Sequence, residues 1–348
     1  MAASNEKQNG DGASSIWLYA FGYFAAYAPY TALTKSLTSG QLRGLPTLSG
    51  MQILPLSTFA SLLGMMVFLS AKRWWGFATH HQLLGKSLPG PTKLTFLSGL
   101  ATAAIIATTT LSYTLKGTSI LIMMLFMRGG VLVIAPIVDV LSKREVRWQA
   151  WVALALSATA LGIGAGGGAF TIEPLGAVVI LLYLLGYFVR LRLMSRQAKS
   201  ADPSQSRRFF VEEQMVATPA IVLFLVVMAA IGATPEMLEV RRGFFDLGGS
   251  SGALVVFAIG VLSQGTGIFG ALVLLDGREN AFCVPVNRAS SVLAGVVASA
   301  TLWLLLHGKP IPARELAGAA LLVGAIVLLA VSGKSKGASA PAAPQPAR

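Results

Sequence analysis

Charged side chains are scarce in this chain. They make up 12% of its 348 residues, about half of the ~25% usual in a soluble domain. Acids are the scarcer sign: 14 Asp and Glu stand against 27 Lys and Arg, for a formal net charge of +13. Cysteine occurs once, at Cys283, which excludes an intrachain disulfide and a cysteine-based metal centre. The three histidines, His80, His81 and His307, lie between apolar runs and have no ligand spacing. No metal or cofactor is expected. No apolar run holds a nucleophile beside a base, or a cluster of His, Asp and Glu, so the chain is not expected to be an enzyme. Its first fifteen residues, MAASNEKQNGDGASS, lack the basic-then-apolar order of a secretory leader.

Apolar sequence is what the chain has in excess. Hydrophobic residues reach 54% and the mean hydropathy is +0.69. A membrane-spanning helix needs about 20 mostly apolar residues. On that basis the sequence predicts ten, over residues 16–34, 51–71, 94–115, 118–140, 148–165, 175–193, 211–233, 253–275, 282–306 and 316–331. Lipid offers no partner to a free backbone group, so helices are the expected form. The fold class is therefore an all-α, multi-pass membrane protein with ten transmembrane helices. The polar residues 1–15 and the Ala/Pro-rich residues 333–348 are expected to be disordered tails.

The basic residues cluster between the apolar runs instead of forming one face of a soluble fold. The lipid bilayer is thus the expected partner, and nucleic acid is not. With both termini cytoplasmic, 18 of the 27 Lys and Arg fall inside and 7 outside, while Arg128 and Arg288 fall within helices. That imbalance favours both ends in. The expected location is an integral membrane, a bacterial inner membrane in preference to an organelle.

The chain also repeats itself. Leu18-Tyr19-Ala20-Phe21-Gly22-Tyr23-Phe24 returns 164 residues later as Leu182-Tyr183-Leu184-Leu185-Gly186-Tyr187-Phe188, and Pro55 returns as Pro219 at the same offset. Gly117 and Arg128 return as Gly277 and Arg288 at an offset of 160. Five helices per half would insert the second half upside down. The expected units are residues 16–168 and 173–332, an inverted repeat of the kind that lets a transporter alternate between inward and outward access.

Ten helices in two five-helix halves resemble the drug/metabolite transporter superfamily, in particular its EamA-like members. The likeness covers roughly residues 15–332. It rests on the run Met127-Arg128-Gly129-Gly130-Val131-Leu132-Val133-Ile134-Ala135-Pro136, on the charged turn Lys143-Arg144-Glu145-Val146-Arg147, and on their repeat mates Asn287-Arg288 and His307-Gly308-Lys309-Pro310. The resemblance implies a secondary transporter with a substrate cavity between the halves. Related anion carriers of the superfamily also use basic residues on the fourth and ninth helices.

Arg128 and Arg288 are the leading candidates for substrate binding. A guanidinium within the bilayer costs a few kcal/mol or more and demands a partner. Its fork matches carboxylate and phosphate. The expected substrate is a small anionic metabolite, with phosphate as one form of the anion. The alternative is an exporter of neutral or amphipathic compounds in which both arginines are structural. Tyr23, Tyr27 and Tyr187, at helical spacing in their segments, together with Gln264 and Asn287, complete the candidate site. Thr108, Thr109 and Thr266 are expected to bond their own helices. Glu212 and Glu213 are read as opening the seventh helix, where the dipole suits them. Asp139 is expected to pair with Lys143.

Overall fold

A computed structural model describes residues 2–83, 86–112, 120–165, 174–199, 202–306 and 313–335. Eleven helices run through the described residues: α1 (Ala2–Thr38), α2 (Gly50–Ala71), α3 (Lys93–Ser112), α4 (Ile120–Leu141), α5 (Trp148–Ala165), α6 (Pro174–Gln197), α7 (Pro203–Ile231), α8 (Pro235–Phe245), α9 (Ala253–Leu274), α10 (Asn280–Leu306) and α11 (Ala313–Ser335). Each of the ten predicted apolar segments coincides with one of them, and α8 is the addition. Among the described residues, five stretches are long and apolar enough to cross a membrane: Gly50–Ala71, Gly176–Gln197, Ser204–Ile231, Ala253–Leu274 and Asn280–Leu305. The bundle exposes large apolar side chains along these helices, among them Leu181, Leu185, Leu223 and Val227. Water would penalise such a surface, and hydrocarbon would not. The architecture is that of a helical protein suited to a membrane.

Several boundaries depart from expectation for identifiable reasons. α7 begins at Pro203, eight residues before the apolar run at 211. Asp202 caps it by accepting from Ser204 N at 2.8 Å, and Pro203 supplies the preset first-turn φ. Thr234 and Pro235 start α8 in the same way. Arg241 of α8 then donates to the carbonyls of Ala229 (2.6 Å) and Ala230 (2.9 Å), which α7 leaves open at its C-terminal end. Residues 79–90, read as loop, form an antiparallel hairpin of β1 (Thr79–Leu83) and β2 (Lys86–Gly90), preceded by a 3₁₀ turn at Trp74–Phe77. At the other end of the chain's first helix, the backbone of α1 is helical from Ala2 through the stretch expected as a tail. The link between α3 and α4, residues 166–173, His307 and residues 336–348 lie outside the described residues.

The helices alternate in direction, so the turns after α2, α4, α6 and α9 share one end of the bundle. Lys72, Arg73, Arg144, Arg147, Lys199, Arg207, Arg208 and Arg278 gather there, and it is called the basic end below. The packing partners follow a pattern. α1 packs on α9 and α10, as α6 packs on α3 and α4. α2 packs on α9, as α7 packs on α3. α5 meets α11, α4 meets α10, and α2 meets α7. Glycine permits the closest approach. A side chain at Gly260 of α9 would collide with the backbone of Ser57 in α2, and Ser61 Oγ donates to Gly260 O across the same seam at 2.7 Å.

Candidate functional site

α4 and α10 each carry one arginine, and in each helix it lies eight residues past the first residue. At about 1.5 Å per residue this is about 12 Å from the helix start. The two helices start at opposite ends of the bundle, so Arg128 sits toward one end and Arg288 toward the basic end. Two tyrosine ladders face them. On α1, the Tyr23 and Tyr27 rings meet edge to face at 5.5 Å between centroids, and Tyr27 meets Tyr30 at 5.7 Å. On α6, Tyr183 and Tyr187 lie 4.9 Å apart. Arg128 Nη2 donates to the Tyr27 hydroxyl at 3.3 Å. The Arg288 guanidinium lies over the Tyr187 ring, 5.0 Å from its centroid, a cation–π contact. Tyr23 is within electrostatic reach of both guanidiniums.

Neither Arg128 nor Arg288 forms an ion pair among the described residues. Arg288 is 8% exposed, and its Nε is buried without an acceptor. A stranded buried donor on a charged group costs upwards of about 1–3 kcal/mol. The site therefore has unmet capacity for an acceptor.

The other candidates take different places. Asn287 donates from Nδ2 to Gly270 O at 3.2 Å and so ties α10 to α9, with the Tyr23 ring on the other side of Gly270. Gln264 is buried with its aliphatic stem against Gly64 of α2, six residues before Gly270. Arg128, Tyr27, Tyr23, Arg288 and Tyr187 thus form one cluster. Tyr183 joins it, and its place one turn before Tyr187 was the signal for it. Thr108, Thr109 and Thr266 do bond carbonyls of their own helices, at 2.6–2.7 Å.

Three buried acids have roles that sequence alone misassigned. Glu213 lies ten residues past the start of α7, so it is not a dipole partner at the helix entry. It has no exposure and takes both prongs of Arg190, from Nε at 2.9 Å and from Nη2 at 2.8 Å. Ser98 Oγ and Thr102 Oγ1 of α3 also donate to it, at 2.6 and 3.0 Å. Glu212, equally buried, accepts from Thr79 N, Thr79 Oγ1, Thr92 N, Thr95 Oγ1 and Arg208 Nε, and fastens the hairpin to α3 and α7. Asp139 does not reach Lys143 among the described contacts. It caps α10 instead, accepting from Asn280 Nδ2 at 2.6 Å and Ala281 N at 2.7 Å.

Asp139 belongs to a belt of bonds that closes the basic end. Arg147 pairs with Glu279 at 2.8 Å. Arg144 donates to Lys199 O and Gly277 O. Lys199 Nζ donates to Arg278 O at 2.8 Å. Arg192 Nη1 donates to Ser142 Oγ at 2.6 Å. Just inside the belt, Asn280–Ser291 of α10 is buried on every side.

No family model matches the chain, and no curated protein matches it. Solved structures do match it. One, described only as the crystal structure of a protein, superposes with a TM-score of 0.56 at 13% identity, over 93% of this chain and 99% of that one. At that identity the match speaks for the fold alone, and it extends over nearly the whole of both chains.

Proposed function

We propose that this chain is a secondary transporter that moves a small anionic metabolite, phosphorylated compounds included, by alternating access. The observation that carries the reading is the buried Arg288 Nε without an acceptor, together with a second arginine, Arg128, that has no ion-pair partner among the described residues. An anion bridging the two guanidiniums would satisfy both and offset their desolvation. The tyrosine ladders would hold the remainder of the substrate through ring faces and hydroxyls. Gln264 and Asn287 are second-rank members of this set, the one against α2 and the other holding α9.

Ten spans in two inverted five-helix halves are part of the same proposal. Exchanging α1–α5 with α6, α7, α9, α10 and α11 maps the packing partners onto one another, which supports it. The likeness to drug/metabolite transporters of the EamA type, and the placement of both termini in the cytoplasm, rest on sequence and charge. In this reading the closed basic end faces the cytoplasm, and the arginines are reached from the opposite side.

Uptake by proteoliposomes of purified, monodisperse protein tests the proposal. A thermal-shift screen first identifies which organic acids, sugar phosphates or nucleotide sugars bind. Arg288→Gln and Arg128→Gln are expected to abolish uptake of the anion so found, and Arg288→Lys to weaken it sharply, because an ammonium lacks the two-pronged fork. Normal uptake by both glutamine variants would mean that the arginines are structural.

A further inference from the structure

The basic end holds a second cationic site, separate from the arginine–tyrosine cluster. A cleft of about 240 Å³ opens there between the end of α6, the beginning of α7 and the first turn of α3, lined by Thr95, Arg196, Gln197, Gln205, Arg208 and Phe209. Its charged groups are two arginines. Arg196 is exposed and has no ion-pair partner among the described residues. Arg208 commits its Nε to Glu212 at 2.9 Å while its side chain stays 41% exposed. Glu212 is already satisfied by the hairpin and Thr95, so it does not occupy the cleft. Gln197 and Gln205 supply neutral amide groups at the rim. The carboxylate of Asp202, the N-cap of α7, is held by Ser204 N at 2.8 Å and Ser204 Oγ at 2.6 Å, and it also bonds the Gln205 side chain at the rim.

The position matters as much as the charge. The cleft sits at helix ends, at headgroup level if the bundle lies in a bilayer. α3, which forms one wall, leaves Leu94, Phe96, Leu97 and Leu100 exposed in its first two turns. Thr95, the α3 residue in the cleft, is itself buried, and the exposed apolar side chains lie on the other sides of the helix; a cationic cleft at the end of a helix whose outer side is apolar fits a molecule with an anionic head and apolar tails. We propose that this cleft binds a phosphate group, and that the phosphate is the headgroup of an anionic phospholipid, with its acyl chains along α3. The proposal rests on the membrane reading of the fold and not on the transported substrate.

Thermal unfolding of the detergent-purified protein tests it, with short-chain phosphatidylglycerol, short-chain phosphatidylcholine, glycerol phosphate and inorganic phosphate added separately. Phosphatidylglycerol is expected to raise Tm and phosphatidylcholine to leave it unchanged. Arg196→Gln and, separately, Gln205→Glu are expected to remove at least half of the phosphatidylglycerol shift. Arg196 is exposed and Gln205 half-buried at the rim, so the fold should tolerate both. Arg288→Gln serves as the control. It should retain the lipid shift whether or not it binds the transported anion, so the two proposals fail separately. An equal shift from phosphatidylcholine, or a full shift in Arg196→Gln and Gln205→Glu, would overturn the site. An equal shift from glycerol phosphate or from inorganic phosphate would overturn the lipid as its source.

Discussion

Replacing Asp139 by alanine should unlatch the basic end. Its carboxylate is the direct bond between α4 and the start of α10, and Asp139, Asn280 and Ala281 all have no exposure. Removing it strands Asn280 Nδ2 and Ala281 N while that end stays closed. Each stranded donor costs about 1–3 kcal/mol. Asn280 keeps a second bond to Ser195 Oγ at 2.7 Å, which softens its loss. The closed form should therefore lose about 2–3 kcal/mol relative to any form in which α4 and α10 part and water reaches these groups. That is about a 30- to 150-fold change in the ratio of the two. The chain carries its own reporter. Cys283, the sole cysteine, is fully buried inside the same belt, with Sγ 3.5 Å from Lys199 Nζ. Maleimide labelling of Cys283 should accelerate by roughly the same factor in Asp139→Ala. Leu322→Ala is the control, because it empties core space among α5, α10 and α11 without touching a hydrogen bond of the belt. It should lower thermal stability and leave labelling slow. If folded Asp139→Ala labels at the wild-type rate, or if Leu322→Ala accelerates labelling equally, Asp139 is not a latch.

Three further outcomes follow from the packing. Glu213→Gln leaves Arg190 buried without its counter-charge and should cost about 3–5 kcal/mol; thermal unfolding and the yield of monodisperse protein measure it, and a paired Arg190→Met, Glu213→Leu variant should recover most of the loss. Gly260→Val forces α9 away from the Ser57 backbone and should lower Tm by several degrees, whereas Gly248→Ala, with open space around it, should be silent. Tyr187→Leu removes the ring beneath Arg288 and should weaken anion binding by about 0.5–2 kcal/mol, while Tyr187→Phe should keep most of the affinity; titration of the ligand identified by thermal shift separates them.

Long apolar runs made most of the fold legible, because twenty apolar residues in a row leave few alternatives to a helix. What escaped was whatever apolarity does not mark. α7 gains its first two turns from Asp202-Pro203, a capping signal that a hydropathy window passes over, and those turns move Glu212 and Glu213 from the helix entry into the bundle. α8 is amphipathic and short, and the hairpin is polar, so neither resembles a span. The arginines and their tyrosines could be singled out because a charge within an apolar run stands alone. Asp139 could not be assigned, because its partner lies 141 residues away and Lys143, four residues on, offered a local reading that the left-handed backbone at Lys143 removes. Arg190 went without an assigned partner for a similar reason: Glu213 sits on a helix whose start was misjudged.

The bonds to Glu212 also impose a timetable. Thr92 and Glu212 are 120 residues apart, and Thr79 is farther still. At about 5–20 residues per second, a ribosome takes roughly 6–24 s to cover that interval. Through that time α3, α4, α5 and α6 emerge, while the hairpin and the first turn of α3 lack the carboxylate that will hold them. α1 and α2 wait longer, since α1 packs on α9 and α10 and α2 on α9 and α8. Within the first half α4 packs on α5, but α1, α2 and α3 have their main partners in the second half, so their packing is completed only as that half arrives. A nascent chain halted before α7 should expose residues 79–92 to proteolysis, and one extended past Glu212 should protect them.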